Sequence, residues 1–368
     1  MMSKVGRVKH VFLGGNTPKG FFSYYHYVLN QKEAKRIFCI KGGPGVGKST
    51  FMKKIASEML NKGYGIEYMH CSSDPDSLDG VVISDIGIAL LDGTAPHVVD
   101  PKNPGAVDEI INLGEYWSEE GFFEHRNEII EINAQIGKLF SRAYKYLAAA
   151  KSIFDDIMVI HSEAMNRSGI ELEKEKIIKK EFNDIPIANK TGNVRKLFGS
   201  AITPKGLQNY LDSVINNNNK VYIIKGAPGT GTEILLSDIV KESVARGFNV
   251  EAYYCPMDPE TRIEHIVIPE RSLAFTTSNK YHLATANTER IVDLNSYLTP
   301  SVLNKYCDDL TYDQQTFDYL LEKAIETIKK AKSQHDVLEK YYIPNMDFDE
   351  VQKCYDKIFE RIVKYCDL

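Results

Sequence analysis

The stretch Ile37-Phe38-Cys39-Ile40-Lys41-Gly42-Gly43-Pro44-Gly45-Val46-Gly47-Lys48-Ser49-Thr50 governs how the rest of the chain is read. Its four opening apolar residues suit a strand buried on both faces, as in a parallel sheet. They run into a glycine-rich turn that closes on Lys-Ser-Thr. Beyond it, Met52, Ile55, Ala56, Met59 and Leu60 fall on one side of a helix. Strand, glycine loop and helix together make an anion cradle. The glycines let successive N–H groups turn inward, and the helix start adds its partial positive charge. In such a cradle Lys48 reaches the outer phosphates of a nucleotide, and the Ser49 hydroxyl is placed to ligate Mg²⁺.

Gly42 to Thr50 is a complete Walker A motif, and here the sequence resembles the P-loop NTPase superfamily. The expected nucleotide contacts are Gly42, Gly43, Pro44, Gly45, Val46, Gly47, Lys48, Ser49 and Thr50. A carboxylate on a neighbouring strand must help to hold the metal, and Ile88-Ala89-Leu90-Leu91-Asp92 fits, with a turn aspartate before Gly93 as the plainer reading. Ser49 and Asp92 are therefore the expected Mg²⁺ ligands, and Lys48, Asp74 and Asp92 the expected catalytic residues. Asp74 leads the acidic group Asp74-Pro75-Asp76 and Asp79, which follows the apolar strand Ile66 to Met69. That position suits a base or a water-orienting group, although Asp-Pro is also a turn former. His97 is a further candidate for γ-phosphate sensing, against loop packing. No Asn-Lys-x-Asp guanine signature occurs, so ATP is the expected nucleotide.

The chain also repeats itself. Ile40 to Gly47 recurs 184 positions later as Ile224-Lys225-Gly226-Ala227-Pro228-Gly229-Thr230-Gly231. Thr17-Pro18-Lys19-Gly20 recurs as Thr203-Pro204-Lys205-Gly206, Cys71 as Cys255, Asp74-Pro75 as Asp258-Pro259, and Ala150-Lys151-Ser152 as Ala331-Lys332-Ser333. This reads as a tandem duplication, with a first domain over 1–188 and a second over 189–368. In the second copy Thr232 stands at the lysine position, Glu233 at the serine position, and Thr276 near that of Asp92. A carboxylate beside the phosphates repels them, so the second loop is expected to bind Mg·ATP poorly and to serve as scaffold or regulator.

Each copy is expected to be an α/β unit, a mostly parallel sheet flanked by helices, with a long helical C-terminal part. In the first copy Ile129, Ile132, Ile136, Phe140, Ala143, Leu147, Ala150, Phe154 and Ile157 recur at three- and four-residue spacing. Phe317, Leu321, Ala324, Ile328, Ala331 and Leu338 do so in the second. Two placements remain open: packing within each copy, or helices of the two copies packed on each other. Thr17 and Thr203 read as helix N-caps with Pro at the first helical position; Lys19 and Lys205 read as solvent-facing, with a nucleotide contact as the alternative.

A net charge of −5, balanced in both halves, shows no basic stripe for nucleic acid. No apolar run approaches the roughly 20 residues of a membrane span, and the first residues lack a secretory pattern. A cytoplasmic location is expected. The six cysteines have neither disulfide nor zinc spacing and read as reduced and structural.

Taken together, the motif, the Cys71–Gly80 and Asp92–His97 segments and the degenerate second copy resemble a bacterial family of tandemly duplicated P-loop ATPases. The resemblance implies ATP binding and hydrolysis at the first loop, and it names no substrate or protein partner. Three functions stay open: an ATPase; a kinase in which Asp74 or Asp76 takes a proton from a small-molecule acceptor; and a nucleotide-gated binding protein with little turnover.

Overall fold

The computed structural model describes residues 6–95, 98–285 and 288–367. The first half contributes β1 (Val8–Phe12), β2 (Gly14–Thr17), β3 (Gly20–Ser23), β4 (Arg36–Lys41), β5 (Ile66–His70), β6 (Leu78–Ile83), β7 (Ile88–Asp92) and β8 (Asp108–Asn112). Six of these form one sheet in the order β1-β5-β6-β7-β4-β8, while β2 and β3 make a separate hairpin. Neighbours in the sheet run parallel except at β6, which opposes both β5 and β7.

The second half contributes β9 (Val194–Leu197), β10 (Ser200–Thr203), β11 (Gly206–Asn209), β12 (Lys220–Lys225), β13 (Val250–Cys255), β14 (Asp258–Ile268), β15 (Leu273–Ser278) and β16 (Arg290–Asp293). Its sheet runs β9-β13-β14-β15-β12-β16, with β14 the reversed strand and β10–β11 the hairpin. The two sheets meet where Phe12 and Phe198 exchange both backbone hydrogen bonds, each 3.0 Å. The main helices are α1 (Lys48–Asn61), α2 (Arg126–Ala164), α3 (Arg167–Phe182), α4 (Thr232–Ala245), α5 (Cys307–Tyr342) and α6 (Phe348–Lys364).

The long helices settle the choice left open by their apolar stripes: α2 and α5 pack on each other. Ala143, Leu147, Ala150, Phe154 and Ile157 share a core with Phe317, Leu321, Ala324 and Ile328. The helices are antiparallel, since Phe154 meets Phe317 with ring centroids 5.3 Å apart and His125 meets Tyr341 at 5.1 Å. At about 1.5 Å per residue α2 is some 58 Å long. The shorter helices then cross over. Val351, Tyr355, Ile358 and Ile362 of α6 pack with Phe38, Ile40 and Phe51 of the first half. Conversely, Ile170, Ile177 and Phe182 of α3 join the core that holds Ile223, Leu235 and Leu236 of the second.

The repeated Thr-Pro-Lys-Gly segments correct the helix-cap expectation: each is the turn of a two-stranded hairpin. Thr17 Oγ1 accepts from the Lys19 N–H at 3.1 Å and donates to the Gly20 carbonyl at 2.8 Å, and Thr203 does the same with Lys205 and Gly206. Pro suits the second position of such a turn, and Gly20 (φ +97°) and Gly206 (φ +101°) supply the positive φ at its end. Neither lysine is simply solvated. Lys19 pairs with Glu260, and Lys205 lies 2.6 Å from Asp76, each contact joining one half to the other.

A four-charge cluster completes the junction. Lys9 Nζ lies 2.6 Å from both Glu67 and Glu251, and Arg195 lies 2.7 Å from Glu67 and 3.3 Å from Glu251. Burial works against the carboxylate charges, but the two cations overcome it and hold both acids below the usual range.

Candidate functional site

Strand β4 runs into the glycine loop and α1 begins at Lys48. The loop closes through Gly45 (φ +70°) and Gly47 (φ +92°), left-handed conformations that side chains with a Cβ rarely adopt. Lys48 Nζ donates to the carbonyls of Gly42 and Gly43, both at 2.8 Å, and lies 3.6 Å from Asp92 Oδ2. Asp92 ends β7, directly beside Ile40 of β4. One of its oxygens accepts the Thr94 N–H at 2.9 Å, so the turn reading and the cleft-facing position hold together. Thr94 in turn donates its hydroxyl to Gly42 O at 2.9 Å. Ser49 Oγ accepts the N–H of Leu78 at 3.0 Å. Lys48, Ser49 and Asp92 thus line one cleft of about 380 Å³, together with Pro44, Gly45 and Thr50. A hydroxyl and a carboxylate beside a lysine in a glycine loop form a donor set that fits hydrated Mg²⁺ and a nucleotide.

The acidic segment divides. Asp74 faces the cleft, accepts the Ser77 hydroxyl at 2.9 Å and lies 3.2 Å from Lys332 of α5. Asp76 points outward to Lys205. Asp79 is buried in the same cleft at a bulge in β6, where pairing with β5 slips between Met69 and His70. It bonds both the Cys71 thiol and the Tyr25 hydroxyl. Burial first, and then this carboxylate, push both groups well above their ordinary pKa. His97 lies outside the described residues.

The roof of the cleft comes from the far end of the chain. His335 and Glu339 of α5 line it. A Cβ at Gly43 would stand 2.6 Å from the Tyr342 ring, and one at Gly45 would stand 2.9 Å from Ile343. Burial disfavours the Lys332 charge, yet its pairing with Asp336 and Asp74 outweighs this and raises its pKa. None of these α5 residues was singled out from the sequence as a site residue. The available signal was the recurrence of Ala150-Lys151-Ser152 as Ala331-Lys332-Ser333. Lys151 lies 3.8 Å from Asp258 across the other interface, as Lys332 does with Asp74.

The second loop has the same backbone shape with Thr232 and Glu233 in place of lysine and serine. Gly229 (φ +90°) and Gly231 (φ +85°) repeat the left-handed glycines. Thr232 starts α4 fully buried, and its hydroxyl lies 3.3 Å from Glu233. The backbone of α2 sits on this loop, with Met158 O only 2.2 Å from where a Cβ on Gly229 would be. Sheet register refines the position equivalent to Asp92. Asp92 lies beside Ile40 and Thr277 beside Ile224, so Thr277 rather than Thr276 stands there.

Among the described residues no helix is long and apolar enough to cross a membrane, and the six cysteines are free. Neither the curated proteins nor the solved structures yield a significant match to this chain. A family model does match: the KAP family P-loop domain covers residues 20–340, taking in the glycine loop, the carboxylate strand and the helix that roofs them. The chain therefore belongs to the KAP family of P-loop NTPases.

Proposed function

We propose that the protein is a Mg²⁺-dependent ATPase acting at the first loop, with the second half serving as scaffold or regulator. The observation that carries this is the convergence of Lys48, Ser49 and Asp92 on one cleft roofed by α5. In this reading Lys48 leaves the Gly42 and Gly43 carbonyls to neutralise the γ-phosphoryl, and loop amides hold the β-phosphate. Ser49 and Asp92 hold the metal, which when bound neutralises phosphate oxygens. Asp74, positioned by Lys332 and Ser77, orients the attacking water.

We read the two halves, 1–188 and 189–368, as products of duplication that exchanged helices. Shared strand order, paired hairpins and the matching Lys151–Asp258 and Lys332–Asp74 contacts support this. The seating of α5 on Gly43 and Gly45 favours one added feature, that nucleotide occupancy shifts α5 against α2.

The test is to incubate the full chain with Mg²⁺ and γ-labelled ATP, with Lys48→Ala as control. Release of inorganic phosphate that the variant abolishes supports hydrolysis. Label passing to an acceptor in cell extract would assign a kinase. Tight binding with negligible release under all conditions would leave the gating role in place of the enzyme.

A further inference from the structure

On an interior strand of the second sheet, away from the first loop, lies a cluster of a different kind. Strand β14 carries a bulge: Tyr253 pairs with His265 but Tyr254 with Ile263, so Glu264 is the extra residue. A bulge breaks the strict alternation of side chains and can bring two successive ones to one side. It does so here. The potential ligand atoms of Glu264, His265 and His282 lie within 4.8 Å of one another, and all three residues are buried. We propose that these three residues form a binding site for one first-row transition dication, with Zn²⁺ as the reference ion.

Three features point to an ion rather than to an ordinary polar core. His265 Nδ1 lies 2.8 Å from Thr276 Oγ1, and that hydroxyl is directed toward the Thr277 carbonyl, 3.3 Å away. The threonine thus accepts from Nδ1–H, which fixes the proton there and leaves the lone pair on Nε2. That Nε2 is buried and has no hydrogen-bond partner among the described residues. An imidazole whose second nitrogen is fixed by a hydrogen bond while the first presents a bare lone pair is the usual arrangement of a metal ligand. His282 is held by Thr277, the neighbouring residue of the same strand, with Nε2 2.7 Å from the Thr277 Oγ1.

Secondly, the two buried rings stand edge to face with centroids 4.9 Å apart, close enough for one ion to reach both. Thirdly, Glu264 supplies the charge. Besides the Cys255 thiol, the buried group facing it is Arg262, whose Nε is 3.9 Å away while its guanidinium sits over the Phe154 ring. Cys255 is a soft donor beside the carboxylate and suits a fourth position.

Ligand atoms around a tetrahedral zinc stand roughly 3.3 Å apart, so binding draws the three side chains together from a spread of at most 4.8 Å. A small pocket lined by Glu264, His282, Cys255 and Arg262 gives an entry path. The set belongs to the second half alone, because sheet register puts Gly80 where His265 stands.

The test uses the full chain stripped with chelator and then titrated with Zn²⁺ by calorimetry and with Co²⁺ by visible spectroscopy, both in excess Mg²⁺. One equivalent of Zn²⁺ is expected, with a Co²⁺ ligand-field band typical of four- or five-coordination. His265→Ala and His282→Ala should each weaken Zn²⁺ binding by roughly 100-fold or more, whereas His335→Ala should leave it unchanged. The last variant matters because His335, Asp336 and Glu339 form another group of possible ligands near the first loop. If a histidine variant misfolds by circular dichroism, the stoichiometry and Co²⁺ band of the wild-type chain decide. Absence of stoichiometric binding overturns the assignment, as does a Zn²⁺ affinity that survives in both folded histidine variants.

Discussion

Lys48 donates to two loop carbonyls and lies beside Asp92, so removing its side chain deletes the proposed phosphate contact without opening a core. Lys48→Ala should lose at least about 100-fold in phosphate release, the scale of one lost transition-state contact, while its melting temperature stays near the wild-type value. Calorimetric and kinetic measurements on the same preparation check both halves of the statement. Lys332 acts through another group. Lys332→Ala should lower turnover by roughly 10-fold with nucleotide affinity nearly retained, since Asp74 keeps its place through Ser77 but loses its cation. Equal losses from Lys332→Ala and Lys48→Ala in nucleotide affinity would contradict the positioning role.

At the scale of elements, the contact between α2 and α5 depends on small residues: Ala143, Ala150, Ala324 and Ala331 are fully buried. Ala324→Leu should overpack this seam and cost about 1–3 kcal/mol, read as a lower urea midpoint. Much of this architecture was legible in the sequence. The run from Ile37 to Thr50 specifies strand, loop and helix because glycine, lysine and apolar periodicity each allow few alternatives there, and Ile88 to Asp92 gave its strand for the same reason. Thr-Pro-Lys-Gly misled because Thr and Pro open helices and tight turns alike, and the glycine at the turn's end carries the deciding positive φ. The stripe on α5 identified a buried face but not its partner, for periodicity records that a face is covered and not by what. Hence Lys332, His335, Glu339 and Tyr342 escaped notice as parts of a site some 290 residues away in the chain.

For the molecule as a whole, the Lys9–Glu67–Arg195–Glu251 cluster ties the halves together and sets an acid limit. Both carboxylates have folded-state pKa values below their unfolded values. Their contribution is therefore present above the unfolded value of about 4.3 and is lost as pH falls below it toward the folded pKa. Thermal melts should change little between pH 7 and about 5 from this source and decline below about 4. Glu67→Gln should destabilise the chain by about 3 kcal/mol at pH 7, the cost of leaving a partly buried cation without its partner, and should flatten the acid decline. A variant as acid-sensitive as the wild type would place that limit elsewhere.

The crossing of α3 and α6 also bears on synthesis. The first glycine loop spans Gly42 to Thr50, yet the side chains that roof and buttress it are supplied between Lys332 and Ile362. A ribosome must deliver some 280 residues beyond Thr50 before that cleft can close, so the first half emerges with an apolar sheet face uncovered and waits for its cover. A cut between the two halves would therefore separate the first glycine loop from the helix residues that cover it.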